Sequence, residues 1–305
     1  VIFQEYWVME NYRNIKQFIN NGMKVIAIDH SVYFAPHETH NFAHEIFENG
    51  TSFTLRQIRR NEAYPKLHAL AVLSPFDQYI WKQSGVRARY ISNPITFQPQ
   101  KVKAKPQNVV YVGRMDDPDK QATKAIEMMV ELQKTNKNAK LFMLGSGENY
   151  IREEVVKSRA NIDLVGYTLD VQKYYQQSSV LVVTSKFEGF GMVSVEAIAH
   201  GTAVVTFAQP YLVLNQCGLV EVPKQDFKQM AIEVDKLLKN ESLRRDLVVK
   251  GQKCIQKLNQ SVAPKWNDLL SRVVNDEEVD FEDEISPEKA EEIVDGEVEF
   301  IKMLR

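Results

Sequence analysis

From Asn108 onward the chain alternates short, almost wholly apolar runs with segments of helical spacing, and this alternation limits the possible folds more than any other feature. Asn108 to Val112 is β-rich and ended by Gly113, and Thr123 to Thr135 then sets Ala125, Ile126, Met129 and Leu132 at helical intervals. Ala139 to Leu144, stopped by Gly145, leads into a helix over Asn149 to Lys157. Ile162 to Val165, Val171 to Gln177 and Val180 to Thr184 continue as strand, helix and strand. Met192 to His200 is a helix closed by Gly201, and Ala203 to Phe207 is one more strand. Strands without polar alternation are covered on both faces, so the pattern predicts a parallel sheet in a doubly wound α/β domain. Ligands of such sheets bind at the carboxyl ends of the strands.

The first hundred residues follow the same grammar. Strands are expected at Val1 to Phe3, Lys24 to Ile28, His68 to Leu73 and Ala88 to Ile91, with helices over Glu10 to Ile19, near Thr54 to Arg60, and over Phe76 to Gln83. Pro94, Pro99 and Pro106, interleaved with Lys101, Lys103 and Lys105, read as a linker. The expected organisation is a first lobe over residues 1–98, a linker over 99–107, a second lobe over 108–275 and an acidic tail over 276–305, with the active site in the cleft between the lobes. The chain opens on Val1 inside a strand-like run, and only four strands precede the linker, so by pattern the first lobe is either incomplete or a trimmed lobe that is whole as it stands.

Composition excludes several classes. No apolar stretch approaches the ~18–20 residues of a membrane helix. Cys217 and Cys254 have neither framework nor metal-ligand spacing, so no disulfide and no zinc site is expected, and a reducing, cytoplasmic setting is the default. The formal charge of −2 hides an asymmetry, because residues 276–299 hold thirteen carboxylates against Lys289 alone. That stretch reads as a solvated, partly helical appendage or a disordered one, with a dedicated interaction tail as the rival reading. The basic remainder suits a phosphate-bearing small ligand and is too dilute for a nucleic-acid stripe.

The chemistry-bearing residues fall at strand ends. Glu188-Gly189-Phe190-Gly191-Met192-Val193 follows a buried strand and runs into a helix, so bare amides and a helix N-terminus form an anion site. Glu188 before the turn and Glu196 one turn inside the helix are placed to accept hydrogen bonds from sugar or ribose hydroxyls; a loop acid and an exposed helix residue are the alternatives. Gly113-Arg114 and Lys120 bracket an acidic turn, where a guanidinium fork and an ammonium suit a diphosphate, or else pair locally with Asp116, Asp117 or Asp119. Gly145-Ser146-Gly147 lacks the third glycine of a dinucleotide fingerprint, since Tyr150 stands there. Asp29-His30 ends a first-lobe strand, where the imidazole could orient a hydroxyl or move a proton, or serve structure alone. His37, His40 and His44 do not form a His-Glu-x-x-His motif and read as a loop bordering the cleft.

Taken together, Val110-Tyr111-Val112-Gly113-Arg114, Lys120, Leu144-Gly145-Ser146-Gly147-Glu148, Leu164-Val165-Gly166-Tyr167, the Glu188-x7-Glu196 spacing and Ala197 to Val205 resemble the retaining GT-B glycosyltransferases of family 4, the glycosyl transferases group 1. The resemblance covers nearly the whole second lobe and touches the first through Asp29-His30-Ser31 and Ile91-Ser92-Asn93-Pro94. It implies two Rossmann-like lobes and a metal-independent, retaining hexosyl transfer from a UDP- or GDP-linked sugar to a glycan or lipid-linked acceptor of the cell envelope. No cofactor beyond the donor and no nucleic acid enter this reading, and the expected location is cytoplasmic, with peripheral contact at the inner face of the membrane. By the same resemblance Arg114 and Lys120 hold the donor diphosphate, Glu196 holds the ribose, Glu188 with the Phe190-Gly191 backbone holds the sugar, and Gly166 and Tyr167 lie by the base. Gly113, Ser146, Gly189, Met192 and Val193 complete the donor-binding set; His30, Glu188, Arg114 and Lys120 form the catalytic group. One residue more than the common spacing separates Arg114 from Lys120, and the family's first strands and glycine loop have no counterpart, so the resemblance implies an incomplete first lobe. A non-catalytic partner subunit and, less favoured, a glycoside hydrolase are the rival readings.

Overall fold

The computed structural model describes residues 1–4, 12–34, 46–48, 51–53 and 60–304. The chain divides into two compact units, one formed by Val1–Pro94 together with Asn259–Arg305, the other by Ile95–Leu258.

The first unit is built on four parallel strands, β1 (Ile2–Gln4), β2 (Ile26–Ile28), β5 (Ala69–Val72) and β6 (Ala88–Tyr90), which lie side by side in that order. The separate antiparallel pair β3 (Ile46–Glu48) and β4 (Thr51–Phe53) falls between β2 and β5 in sequence. Helix α1 spans Tyr12–Asn20. Helix α2, Pro75–Gln83, starts where Ser74 accepts from the Asp77 N–H and Pro75 occupies the first turn, a start signal legible in the sequence. The helix expected near Thr54 to Arg60 and the His37, His40 and His44 group fall largely or wholly outside the described residues.

The second unit carries six parallel strands. These are β7 (Asn108–Val112), β8 (Lys140–Leu144), β9 (Ile162–Gly166), β10 (Val180–Val183), β11 (Ala203–Phe207) and β12 (Val220–Val222), arranged in the order β12-β11-β10-β7-β8-β9. Helices α3 (Ala122–Leu132), α4 (Glu148–Ser158), α5 (Val171–Gln177), α6 (Met192–Ala199) and α7 (Phe227–Lys239) connect them or follow them. The strand order reverses between β7 and β10, both buried, and a doubly wound sheet opens its ligand crevice at the carboxyl ends of such a pair. Val109, Leu141, Val180, Val182 and Val205 on the strands and Met128, Met129, Leu132 and Val234 on the helices form the core. β12 and α7 have no counterpart among the expected elements.

Two expectations are corrected. Cys217 and Cys254 form a disulfide with Cα atoms 5.2 Å apart, joining the turn before β12 to helix α8 (Glu241–Val274). The 37-residue gap between them is silent about spatial proximity, which the helix supplies. The acidic stretch is partly helical, as one of its readings had it, but it is not a solvated appendage: α9 (Pro287–Leu304) buries Ala290, Ile293, Glu297 and Phe300, a stripe at helical spacing within the acids, and packs against α2. Among the described residues no helix is long and apolar enough to cross a membrane.

Candidate donor-binding site of the second unit

The loops after β7, β8 and β9 interlock through their glycines. Gly145, at φ +134°, would set a Cβ 2.0 Å from the Gly113 carbonyl oxygen, and Gly147, at φ +83°, would set one 2.7 Å from Asp116. The Met115 N–H donates to the Ser146 carbonyl at 2.8 Å, and the Gly145 N–H to the Gly166 carbonyl at 2.9 Å. Glycine is required at Gly145 by both backbone angle and space. Ser146 and Arg114 are left exposed at the rim, as is Tyr167 just after β9.

The loop from Asp117 to Gln121 is stapled to the end of β10. The Thr184 hydroxyl donates to the carbonyls of Lys120 (2.9 Å) and Gln121 (3.0 Å), and the Lys186 N–H donates to Asp119 at 2.8 Å. This brings Lys120 Nζ to 2.6 Å from Glu188 Oε1, the same oxygen that accepts from the Ser185 hydroxyl at 2.7 Å. The pair spans the switch point and is mostly withdrawn from water, Glu188 being 11% exposed and Lys120 30%. Arg114 pairs with Asp117 and remains 69% exposed. Each cation is therefore matched by a carboxylate, so the four groups are neutral together. An anion entering here would have to displace Glu188 and Asp117 from the two cations.

Behind them the turn Glu188 to Gly191 ends in α6, whose N-cap Gly191 has φ +82° and whose first amides receive no side-chain cap. An uncapped helix start of this kind, with the positive end of the helix dipole, suits an anion. The Tyr211 hydroxyl, itself donating to Gln209 at 2.7 Å, stands 3.4 Å from the Glu188 N–H and braces the turn from outside. The half-exposed residues of α6, Met192, Val193 and Glu196, share one face by spacing.

Glu196 accepts from the Tyr175 hydroxyl at 3.1 Å. Burial raises its carboxyl above the ordinary range, a shift moderated by the Tyr175 hydrogen bond and by His200. Burial and the facing carboxylate raise the Tyr175 phenol too, so it remains a donor at any physiological pH. Tyr111 is likewise raised, by burial, Glu188 and Asp117.

Of the expected site residues, the structure joins Lys120 to Glu188 directly and sets Glu196 on the helix that the glycine turn begins. His30 is exposed after β2 of the first unit, where its neighbour Asp29 is fully buried against Arg60 and accepts from the Ser31 N–H at 3.0 Å. Sequence reasoning missed Ser185, Tyr211 and Tyr175. Ser185 carried a signal, a hydroxyl three residues before a carboxylate, whereas nothing linear couples Tyr175 or Tyr211 to the glutamates.

Residues 106–240 match the family model described as glycosyl transferases group 1. The chain is 32% identical over 171 residues to the capsular polysaccharide biosynthesis glycosyltransferase CapM of Staphylococcus aureus, covering 53% of this chain and 44% of CapM. It is 28% identical over 162 residues to the poly(glycerol-phosphate) alpha-glucosyltransferase of Bacillus subtilis (strain 168), covering 50% of this chain and 24% of that enzyme. The chain thus spans less than half the length of these two relatives. Among solved structures, S. aureus TarM in complex with UDP and alpha-GlcNAc-glycerol aligns with a TM-score of 0.72 at 21% identity, over 86% of this chain and 53% of that one. A glycosyl transferases group 1 match over residues 106–240 therefore sits in a chain of two Rossmann-like units, the GT-B architecture.

Proposed function

We propose that this chain transfers a sugar from a nucleoside-diphosphate sugar, UDP- or GDP-linked, to a glycan or lipid-linked acceptor of the cell envelope, with retention of configuration. The observation that carries the reading is the Lys120–Glu188 pair beside the uncapped N-terminus of α6, at the strand-order reversal of the second unit. An ammonium, bare amides and a hydroxyl-accepting carboxylate converge there, which matches the charge pattern of a diphosphate next to a sugar. The names of the relatives, glycosyltransferases of capsule and of poly(glycerol-phosphate), and the UDP held by TarM support the same reading.

In this scheme the donor phosphates take Lys120, Arg114 and the α6 amides, releasing Glu188 to accept from the sugar hydroxyls. As the glycosidic bond breaks, negative charge grows on the departing phosphate, which takes up the acceptor's proton while attack occurs on the same face. Lys120, Arg114 and the helix end stabilise that charge, which is the role a metal would otherwise fill. Gly166 and Tyr167 border the base, and Glu196 takes the ribose.

Titration of the chain with UDP and GDP by calorimetry, run beside transfer assays on a panel of nucleotide sugars, tests the proposal. One nucleotide is expected to bind, and Lys120→Ala to lower transfer ~10²–10³-fold. Near-normal transfer by that variant overturns the role given to Lys120; nucleotide binding without turnover favours a non-catalytic partner; hydrolysis of a plain glycoside without nucleotide favours a hydrolase.

A further inference from the structure

Tyr175 lies on α5, outside every motif of the site, yet it is almost fully buried and its hydroxyl donates to Glu196 Oε2. Its ring stacks on His200 at 5.7 Å and 23°, and His200 Nδ1 lies 2.7 Å from the Glu196 carbonyl, so ring and hydroxyl hold α6 at two points. The backbone beneath is fixed as well. The Tyr175 carbonyl accepts from Lys105 Nζ at 2.8 Å and from the Thr202 hydroxyl at 2.7 Å, while Lys105 Nζ also donates to the His200 carbonyl at 2.9 Å. Lys105, from the segment preceding β7, thereby ties together the ends of the two helices that carry Tyr175 and Glu196. Burial, with Arg244 nearby, lowers the Lys105 ammonium to about 7. Among the described residues no donor is bonded to Glu196 Oε1.

We propose that Tyr175 is a positioning residue that occupies one oxygen of Glu196, fixing the carboxylate plane so that the other oxygen reads the hydroxyl pair of the donor's ribose. The inference rests on the donor-site reading above and extends it to a ribose-specificity determinant. A buried carboxylate free to rotate spreads its acceptor directions, whereas one held by a phenol presents a single lone-pair geometry to a neighbouring diol. Hydrogen bonds from hydroxyls to a charged group correspond to roughly 10–100-fold in affinity, so discrimination between ribose and dideoxyribose is measurable.

The experiment is a calorimetric comparison of UDP and GDP with their 2′,3′-dideoxy counterparts, on the intact chain and on Tyr175→Phe, which keeps the stacked ring and removes only the hydroxyl. The intact chain is expected to prefer the ribonucleotide at least ~10-fold, and the variant to reduce that preference below ~3-fold while its dideoxynucleotide affinity stays within ~2-fold. General damage to the site would weaken both ligands alike, so an unchanged ratio or a parallel loss overturns the proposal. Equal binding of ribo- and dideoxynucleotides by the intact chain overturns it while sparing the donor site. Binding of neither UDP nor GDP overturns both readings together. Lys105→Met provides a second variant: a smaller fall of the same ratio is expected, and weakening of both ligands without change of ratio removes Lys105 from the chain of support.

Discussion

The two glutamates of the site sit in different environments although one seven-residue spacing relates them. Glu188 accepts from an ammonium and a hydroxyl, while Glu196 is buried against a phenol. Replacing Glu188 by Gln removes the protein's own competitor for Lys120. A partly buried pair of this kind is worth about 1 kcal/mol, so Glu188→Gln is expected to bind free UDP or GDP roughly fivefold tighter while losing transfer, measured by calorimetry and turnover. Glu196 has a folded-state pKa raised above its unfolded value, so the native chain holds this proton more tightly. Its contribution to stability is fully present below the unfolded value near ~4.3 and is lost as pH rises through the higher folded value. Urea unfolding from pH 4 to 8 is expected to show that loss in the intact chain and not in Glu196→Gln. Glu188, Glu196, Arg114 and Lys120 could be picked from sequence because motifs at strand ends encode them. Ser185, three residues before Glu188, carried a local signal, whereas Tyr175 and Tyr211 could not be picked, since their contacts form only after segments distant in sequence meet.

At the scale of elements, β7 to β11 and their helices were legible nearly to the residue, because short, mostly apolar runs alternating with segments of helical spacing leave little choice of structure. β12 was not: Val220-Glu221-Val222 is three residues long, polar in the middle, and is recruited as an edge strand by β11. Glycines divide by the same logic. Gly145→Ala must find space where the Gly113 carbonyl stands and must adopt φ +134°, a cost of about 2–3 kcal/mol or more with distortion of the Arg114 and Ser146 loops. Gly296 lies inside α9 with nothing within 4 Å of where a Cβ would stand, so Gly296→Ala is expected to stabilise by about 0.5–1 kcal/mol. Denaturant unfolding of both variants checks the opposite signs, and weaker nucleotide binding should accompany only the first.

For the whole molecule, the order of the chain and the order of the units diverge: residues 259–305 return to the unit that residues 1–94 begin, supplying Val262, Leu269, Val273 and Phe281 to its core. A reading along the sequence assigns that segment to the lobe it follows, because periodicity tells which residues are buried and not against what. The disulfide lies wholly within the continuous unit 95–258. Gly251, one turn before Cys254 on α8, allows the close approach: a Cβ there would stand 2.9 Å from the Cys217 carbonyl and 2.9 Å from Ile198. The bond closes a loop across 37 positions, for which the chain-entropy account gives a stabilisation of about 2–4 kcal/mol. Reduction with a dithiol is therefore expected to lower the melting temperature of this unit by roughly 5–15 °C. Scanning calorimetry should show the transition of the discontinuous unit unmoved, and Cys217→Ala with Cys254→Ala should reproduce the reduced profile without further response to dithiol. Unequal behaviour of these two preparations would locate the effect of the reductant elsewhere than in this bond.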